Sequence, residues 1–380
     1  MLKNFIILIF FYNSLQKADV FFTREITSSS LVKIFKKLNV KLTGNIGLKV
    51  HTGEPGGLYF LTPDFLQEIY NYTNGTFIEC NCAYNRSRHS TELHKKILHE
   101  HGWLDKDRRT VIMDENPLDD FNLTVEDPIV LKENIVGAHL REFDSCLVLA
   151  HWKGHPAAGF GGTLKQLSIG FASQSGKTWI HTGGQITDWT HMLEFITDQI
   201  SFTNAMGDAS SSIVKYFRER GGIAFINVIA NISLWCDCGG GLSPPPKIND
   251  IGIVASTDPV AIDRASIDLI KEHLDIGTTE MLEQIKELYG ENVMTAAEKH
   301  KIGTQEYNLI DIDQKEQLED EEEVEKNKDK DNNYTLLIII ILSIFAVLLI
   351  IGFLGFVIYR TKRIPKEITG KISLADSKIE

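Results

Sequence analysis

Short runs of apolar residues recur along the first 312 residues, and polar or turn-forming residues separate them. Most of the runs are continuous rather than alternating, which is typical of strands buried on both faces of a parallel sheet. Seven runs of this kind predict strands at 20–23, 46–50, 76–79, 110–113, 146–151, 223–229 and 251–255.

Segments with helical periodicity lie between these runs. They repeat apolar residues every three or four positions at 30–38, 63–70, 91–101, 189–200, 212–220, 259–273 and 280–289. The alternation of strands and helices predicts an α/β fold with a mostly parallel sheet and helices on both faces, in one or two lobes. We expect this domain to occupy residues 19–312.

Both ends of the chain differ from this pattern. An apolar run too short to span a bilayer lies near the start, so residues 1–18 are predicted to be a signal peptide. Residues 336–359 are 24 uncharged, mostly apolar residues, which is enough for a transmembrane helix. Residues 313–335 contain a strongly acidic run with almost no apolar side chain, which predicts a disordered stalk.

The charges on either side of the apolar span indicate its orientation. Basic residues follow it in the tail at 360–380, whereas acidic residues precede it, so the positive-inside rule predicts a single-pass type I protein with a cytoplasmic C-terminus. The large domain is then expected outside the cell or in the lumen of the endomembrane system. Six Asn-x-Ser/Thr sequons agree with a glycoprotein there, at Asn71, Asn74, Asn85, Asn122, Asn231 and Asn333.

The net charge of −12 is concentrated in the acidic run, since residues 311–331 contain eleven acidic and four basic residues. No basic patch with interleaved aromatic residues is present in the sequence. This composition argues against nucleic acid as a partner. It does not indicate a protein partner, so the membrane and a small ligand are the partners that we expect.

The densest group of chemically active residues follows the apolar run 146–151. His151, Lys153 and His155 alternate, so in an extended backbone their side chains point to one side. They stand where a strand is expected to end, which is where open α/β sheets bind ligands. The glycine-rich turn that follows adds five candidate binding residues, Gly159, Gly161, Gly162, Lys165 and Lys177.

This segment is suited to an anion, because free N–H groups at the start of the next helix would lie beside lysines. In an enzyme, His151 or His155 would be the acid or base, and Lys153, with the later lysines, would hold anionic oxygens. His151, Lys153 and His155 are therefore the candidate catalytic residues. The alternative is a structural turn whose histidines only hydrogen-bond their neighbours.

Two further clusters are expected near this segment. His51 and Glu54 follow the run 46–50 within a turn rich in glycine and proline, and either they bind the ligand or they are solvated turn residues. Asp263 lies about one turn into a predicted helix. It could orient a lysine or a metal ion across the site, or it could simply be an acid favoured by the helix dipole.

Four of the five cysteines form two Cys-x-Cys pairs, Cys80 with Cys82 and Cys236 with Cys238. In a lumenal domain these pairs predict two disulfide bonds that link distant loops, with Cys146 buried and reduced inside a strand.

The alternative use of these thiols is a metal site, with Cys236, Asp237 and Cys238 as its candidate residues. One intervening residue is an unusual spacing for zinc, so we favour disulfides. The cysteine run of a ferredoxin is absent from the sequence, so no iron–sulfur cluster is expected, and no other cofactor is indicated.

Several of these motifs resemble the bacterial and archaeal family called domain of unknown function 362. The motifs that carry the resemblance lie at 49–57, 151–155, 159–165, 173–177, 236–238 and 250–263. The resemblance extends over about residues 20–312. The segment 77–88 resembles the family too and keeps Asn81, Tyr84 and Arg88. Within it, Cys80 and Cys82 stand where hydroxyl residues are expected, which favours an added disulfide bond.

What the resemblance implies about activity is limited, because the family is named for having no assigned function. Many members insert a ferredoxin-like module after the segment that matches 173–177, but residues 181–189 contain no cysteine here. We therefore expect a domain that binds a small anionic or metal-associated ligand, as an enzyme in the slightly favoured case. The competing function is a non-catalytic surface glycoprotein that binds another protein or has a structural role.

Overall fold

A computed structural model describes residues 17–362, apart from the side chains of residues 315–333. The described residues up to Asp313 form one compact unit rather than two lobes. Its strands are β1 (Ala18–Thr23), β2 (Ile46–Lys49), β3 (Thr76–Glu79), β4 (Thr110–Ile112), β5 (Phe121–Thr124), β6 (Glu133–Val136), β7 (Ser145–His151), β8 (Lys153–His155), β9 (Gly159–Gly161), β10 (Ile223–Ile229), β11 (Gly252–Ser256) and β12 (Tyr307–Asp311).

Eight of these strands form one mixed sheet in the order β12-β1-β11-β10-β7-β2-β3-β4. Only β11 runs antiparallel to its neighbours, β1 and β10, so the predicted mostly parallel sheet is confirmed. Two antiparallel hairpins, β5 with β6 and β8 with β9, lie outside the main sheet.

The helices connect the strands as the α/β pattern predicts. In chain order they are α1 (Ser28–Lys37), α2 (Gln67–Thr73), α3 (Thr91–Glu100), α4 (Thr163–Lys165, continued by a π-helical turn to Gly170), α5 (Gln174–His181), α6 (Gln199–Arg218), α7 (Pro259–Glu272), α8 (Ile276–Glu287), α9 (Asn292–Lys299) and α10 (Ile312–Lys362).

Both faces of the sheet are buried. Cys146 and Val148 of β7 pack into one apolar core, whereas Leu147 and Leu149 pack into a second core on the opposite face. Every residue of β7 is buried, because its side chains alternate between the two cores. This double coverage explains why the strand reads as a continuous apolar run.

The order of the strands creates a switch point between β2 and β7. From β2 the chain moves outward to β3 and β4, and then returns to the other side of β2 to form β7 and β10. The two connections leave the sheet in opposite directions at this point and open a crevice at the carboxyl ends of β2 and β7.

The predicted helix at 189–200 is wrong. Residues Trp189–Glu194 form a 3₁₀ turn, and α6 begins only at Gln199. The cause is Asp198, whose carboxylate accepts hydrogen bonds from the N–H groups of Ile200 and Ser201 and caps the helix there. An apolar periodicity that continues across such a cap does not reveal the break.

The second unit of the chain begins at Gln314, and its described residues lie in α10. The acidic segment predicted as a disordered stalk is helical along its backbone, because Glu, Lys and Gln are good helix formers. The part of α10 at Tyr334–Lys362 is long and apolar enough to cross a membrane, and its residues are exposed. Residues 1–16 of the predicted signal peptide and residues 363–380 of the predicted tail lie outside the described residues.

Candidate functional site

A cavity of about 320 Å³ lies at the switch point, beside the carboxyl ends of β2, β3 and β7. Ten of the fourteen candidate residues line it: His51, His151, Lys153, His155, Gly161, Gly162, Lys165, Lys177, Cys236 and Cys238. The other four candidates, Glu54, Gly159, Asp237 and Asp263, are not among its lining residues. Leu193 and Ile196 give the cavity an exposed apolar rim.

The glycine-rich segment reaches the cavity as the hairpin of β8 and β9. Lys153 pairs with Gly161 and His155 pairs with Gly159, so each polar residue of β8 stands opposite a glycine of β9. Gly159 has a φ of +78°, and a Cβ there would lie 3.0 Å from the Cα of Ile285. The tight turn and the close approach of α8 therefore both require glycine at this position.

Asp237 organises the first polar cluster, although it stands behind the cavity lining. Its carboxylate lies 2.7 Å from Nζ of Lys153 and 3.0 Å from Nδ1 of His151. The other ring nitrogen of His151, Nε2, lies 2.7 Å from the carbonyl oxygen of Ala230. Both nitrogens of His151 thus face acceptors, so this histidine is held as a donor in a buried ion-pair cluster and has no free nitrogen for a ligand.

Asp237 is the carboxylate that the two cationic side chains of the first cluster share. Burial alone would raise the pKa of Asp237, but His151 and Lys153 hold it well below its usual range. Asp237 is therefore ionised and fully engaged. Lys153 is only 6% exposed, so its ammonium group is held in the interior beside Asp237.

Glu79 and Arg88 organise a second buried cluster. Arg88 donates to Glu54 at 2.8 Å, to Glu79 at 3.3 Å and to Nε2 of His51 at 3.1 Å. Lys49 donates to the other oxygen of Glu79 at 2.8 Å. Glu54 is consequently an ion-pair partner of Arg88, and Nε2 of His51 accepts a hydrogen bond from Arg88. Burial, followed by the charge of Arg88, lowers the pKa of His51 well below its usual value.

Lys177, which is buried, and Lys165, which is partly buried, differ from the other cations of the cavity region. Lys177 is 8% exposed and donates to the carbonyl oxygen of Ala172 at 2.6 Å. Among the residues that the structure describes, no ion pair joins a carboxylate to either lysine, although both line the cavity. Burial, followed by repulsion from Lys153 and Lys177, lowers the pKa of Lys165 to about 7.

Two neutral histidines complete the cavity wall. Nδ1 of His155 accepts hydrogen bonds from the N–H groups of Ala157 and Ala158, both at 3.1 Å, so the ring proton lies on Nε2. Burial and then Lys165 lower the pKa of His155 well below its usual range. His181 stacks on Phe202, and burial followed by Lys165 lowers its pKa to about 4. His155 can therefore donate a hydrogen bond from Nε2 but is a poor base.

Asp263 supports the turn from behind. Its carboxylate accepts the N–H groups of Thr163 and Leu164 and the amide of Asn227, each at 2.8 Å. The N–H groups that we expected to be free for an anion are therefore already occupied. Burial raises the pKa of Asp263 to about 6. Asp263 fixes the start of α4, and a Cβ on Gly162 would lie 2.4 Å from its oxygen.

The cysteines are not paired as predicted. Cys236 is bonded to Cys238, whereas Cys80, Cys82 and Cys146 are free and buried. A disulfide bond is confirmed, but the predicted bridges between distant loops are wrong. All four cysteines of the two Cys-x-Cys pairs line the cavity, but only Cys236 and Cys238 are bonded to each other. The candidate metal ligand Asp237 is engaged with two cations, and a ring nitrogen of His155 lies within 4.8 Å of both bonded sulfur atoms instead.

Several residues of this site escaped the sequence analysis. Lys49 and Glu79 end β2 and β3, and their position at the same sheet edge as His51 was the signal that could have found them. Arg88 and His181 lie outside strand ends. The resemblance to the family could have indicated Arg88, because the segment 77–88 belongs to it, whereas no pattern in the sequence marks His181.

The comparisons with known proteins concern the same part of the chain. The sequence profile described as "Domain of unknown function (DUF362)" matches residues 46–268. A crystal structure of a protein from Thermotoga maritima is 14% identical, with a TM-score of 0.39 over 64% of this chain and 56% of that one. The lactate racemase apoprotein from Thermoanaerobacterium thermosaccharolyticum is 11% identical, with a TM-score of 0.39 over 67% of this chain and 57% of that one. The chain thus spans a little over half of each. No curated protein matches it in sequence.

Proposed function

The chain belongs to the DUF362 family, a domain of unknown function, and from the geometry of its cavity we propose that it binds a small anionic ligand there. The observation that carries the proposal is the unbalanced charge of Lys165 and Lys177. The other cations of the cavity region have carboxylates at ion-pair distance: Lys49 has Glu79, Arg88 has Glu54 and Glu79, and Lys153 has Asp237.

An anion between the two lysines would supply the missing negative charge. Buried cations without a partner are costly, because burial removes them from water and the neighbouring cations repel them. The lowered pKa of Lys165 is a direct consequence of this arrangement. Carboxylate and phosphate groups suit the site, and the donor Nε2 of His155 can add a hydrogen bond.

The same groups suit proton transfer on the bound ligand. Because its pKa is about 7, Lys165 exists in both protonation states near neutral pH, as an efficient acid or base should. His151 is tied to Asp237 and Ala230, and His155 is held as a donor. We therefore propose Lys165, rather than either histidine, as the group that exchanges a proton if the ligand is a substrate. A concave cavity that several cationic side chains line supports this function over that of a flat protein-binding surface.

The test is ligand-dependent thermal unfolding of the full chain in detergent, with inorganic phosphate and a small carboxylate as probes. An anion that binds only the folded state should stabilise it by about 2.7 kcal/mol at one hundred times its Kd. Lys165→Gln should remove the effect. The matched control is Lys41→Gln, because Lys41 is exposed and precedes β2 at the opposite end of the strand.

The pH dependence has a defined sign. An anion favours the charged form of Lys165, so stabilisation should be greatest below pH 7 and should weaken as the pH rises through and above about 7. Equal stabilisation of Lys165→Gln, or no shift with any anion in the unmodified chain, would contradict the proposal.

We also propose that the domain is anchored to a membrane through α10. The exposed apolar stretch Tyr334–Lys362 supports this, and the basic residues at its end favour a cytoplasmic C-terminus. In that orientation the cavity faces the lumen or the cell exterior, and the sequons become available for glycosylation. The predicted divisions at 1–18, 19–312, 313–335, 336–359 and 360–380 belong to the same proposal.

A further inference from the structure

The disulfide bond between Cys236 and Cys238 is placed unlike a structural crosslink. It joins residues only two positions apart, so it closes almost no chain. A disulfide stabilises a fold mainly by restricting the unfolded chain, and that effect grows with the length of the closed loop. This bond also lines a cavity that a small molecule can enter. Its position therefore favours a chemical role.

We propose that Cys236 and Cys238 form a redox-active site that exchanges thiols with small molecules bound in the cavity. The two sulfur atoms differ in access. Cys236 is only 4% exposed, whereas Cys238 is partly exposed. An incoming thiolate should therefore attack Sγ of Cys238, and Sγ of Cys236 should be the leaving group.

The reaction balances with two equivalents of an external thiol. The first thiolate forms a mixed disulfide with Cys238, while the electron pair of the broken S–S bond leaves on Cys236. A second thiolate then attacks the sulfur of the bound thiol and releases Cys238 as a thiolate. The two protons lost by the external thiols end on the two cysteines, so the site is reduced by two electrons and the thiol is oxidised to its disulfide.

The surroundings of Cys236 favour a thiolate. Its Sγ already accepts a hydrogen bond from the N–H group of Cys238 at 3.1 Å. A ring nitrogen of His155 lies within 4.8 Å of both sulfur atoms, and the lysines of the cavity supply positive charge. Donors and cations near a sulfur atom stabilise its thiolate form.

The class of thiol follows from the same lysines. A thiol that carries a carboxylate or another anionic group can place that group between Lys165 and Lys177 while its sulfur reaches Cys238. This preference for anionic thiols rests on the function proposed above. The exchange itself does not, because it needs only Cys236, Cys238 and access to the cavity.

The experiment follows the loss of the bond in the folded full chain, isolated in detergent without reductant. 2-Mercaptoethanol and 3-mercaptopropionate are compared at equal thiolate concentrations, the reaction is quenched by alkylation, and peptide mass spectrometry counts the labelled cysteines. The thiol of Cys146, which is buried inside β7 and is not among the residues that line the cavity, should stay unlabelled, which shows that the chain has remained folded.

We expect both reagents to reduce Cys236–Cys238, with the anionic thiol faster by about tenfold or more, as electrostatic attraction to a charged cleft allows. Lys165→Gln should bring the two rates together, because it removes a cation that attracts the anionic thiol, and it should slow the anionic thiol more than the neutral one. His155→Gln should slow both reagents by at least about tenfold and should raise the pH at which Cys236 of the reduced chain reacts with iodoacetamide.

A bond that is reduced only after the chain unfolds would overturn the proposal. Equal rates for the two thiols in a chain that phosphate does stabilise would overturn the assignment to anionic thiols. If phosphate gives no stabilisation but the neutral thiol still reduces the bond through His155, the exchange site stands and the anion-binding function fails.

Discussion

Glu79 is the residue on which the buried charges of the site depend most. It is 3% exposed, and its two oxygens accept from four donors. These donors are Nζ of Lys49, the N–H groups of Cys80 and Thr52, and Nη1 of Arg88. Burial alone would raise the pKa of Glu79, but Lys49 and then Arg88 hold it below its usual value. The carboxylate is therefore ionised in the folded state.

Glu79→Gln removes this charge with little change of shape. The new amide turns N–H groups toward two of the four donors and leaves Lys49 without its carboxylate. Removal of one partner of a buried ion pair typically costs about 3–5 kcal/mol of unfolding free energy. At about 2 °C per kcal/mol for a domain of this size, Tm should fall by about 6–10 °C.

Thermal unfolding of the full chain at pH 7 measures the effect, with Glu283→Gln as the control on the exposed face of α8. The control should stay within about 0.5 kcal/mol. The double variant Glu79→Gln with Lys49→Met should recover part of the loss, because it also removes the uncompensated cation. A fall of less than about 1 kcal/mol in Glu79→Gln would refute the reasoning.

The pH dependence follows from the same shift. A carboxyl group whose folded-state pKa is depressed contributes stability above its ordinary value, and that contribution is lost as the pH falls below about 4.3. The difference between the unmodified chain and Glu79→Gln should therefore narrow below about pH 4. A constant difference across this range would show that the charge of Glu79 is not what stabilises the fold.

Two further predictions concern the turn and the membrane. In chemical denaturation, Gly159→Ala should lower the unfolding free energy by about 1–2 kcal/mol, because φ is +78° and the added Cβ would lie too close to Ile285. The control Gly161→Ala should stay within about 1 kcal/mol of the unmodified chain, because the atom nearest to its Cβ would lie 3.7 Å away. In sealed microsomes, an added protease should remove only residues beyond Tyr359, since the membrane should shield the rest; loss of the large domain would show the opposite orientation.

Local patterns were sufficient to predict the centre of the sheet. β10 was predicted with its observed bounds, and β7 within one residue, because both are buried on two faces and read as continuous apolar runs. The edge strand β12 was missed, since its residues are exposed or only partly buried and carry no such run. Hairpins of three or four residues, such as β8 with β9, are also too short to produce a period.

The site was located by the same logic, because polar residues that follow parallel strands must meet at one edge of the sheet. This argument brought His51 and His151 together, although they lie a hundred positions apart in the chain. It could not assign their roles, which depend on the second partner of each nitrogen. Nδ1 of His151 is hydrogen-bonded to Asp237 and Nε2 to Ala230, and both of these partners lie more than seventy positions further along the chain.

The roles of the lysines show most clearly what a sequence leaves open. Lys49 and Lys153 lie in strands, whereas Lys165 and Lys177 lie in helices, and nothing in their spacing along the chain indicates which of them has a carboxylate partner. The fold gives a buried carboxylate to Lys49 and Lys153 and gives none, within the described residues, to Lys165 and Lys177. The lysines therefore differ in the charge of their immediate neighbours. Lys165 and Lys177 line the cavity without a carboxylate partner among the described residues, so their positive charge is the charge that a bound ligand can neutralise.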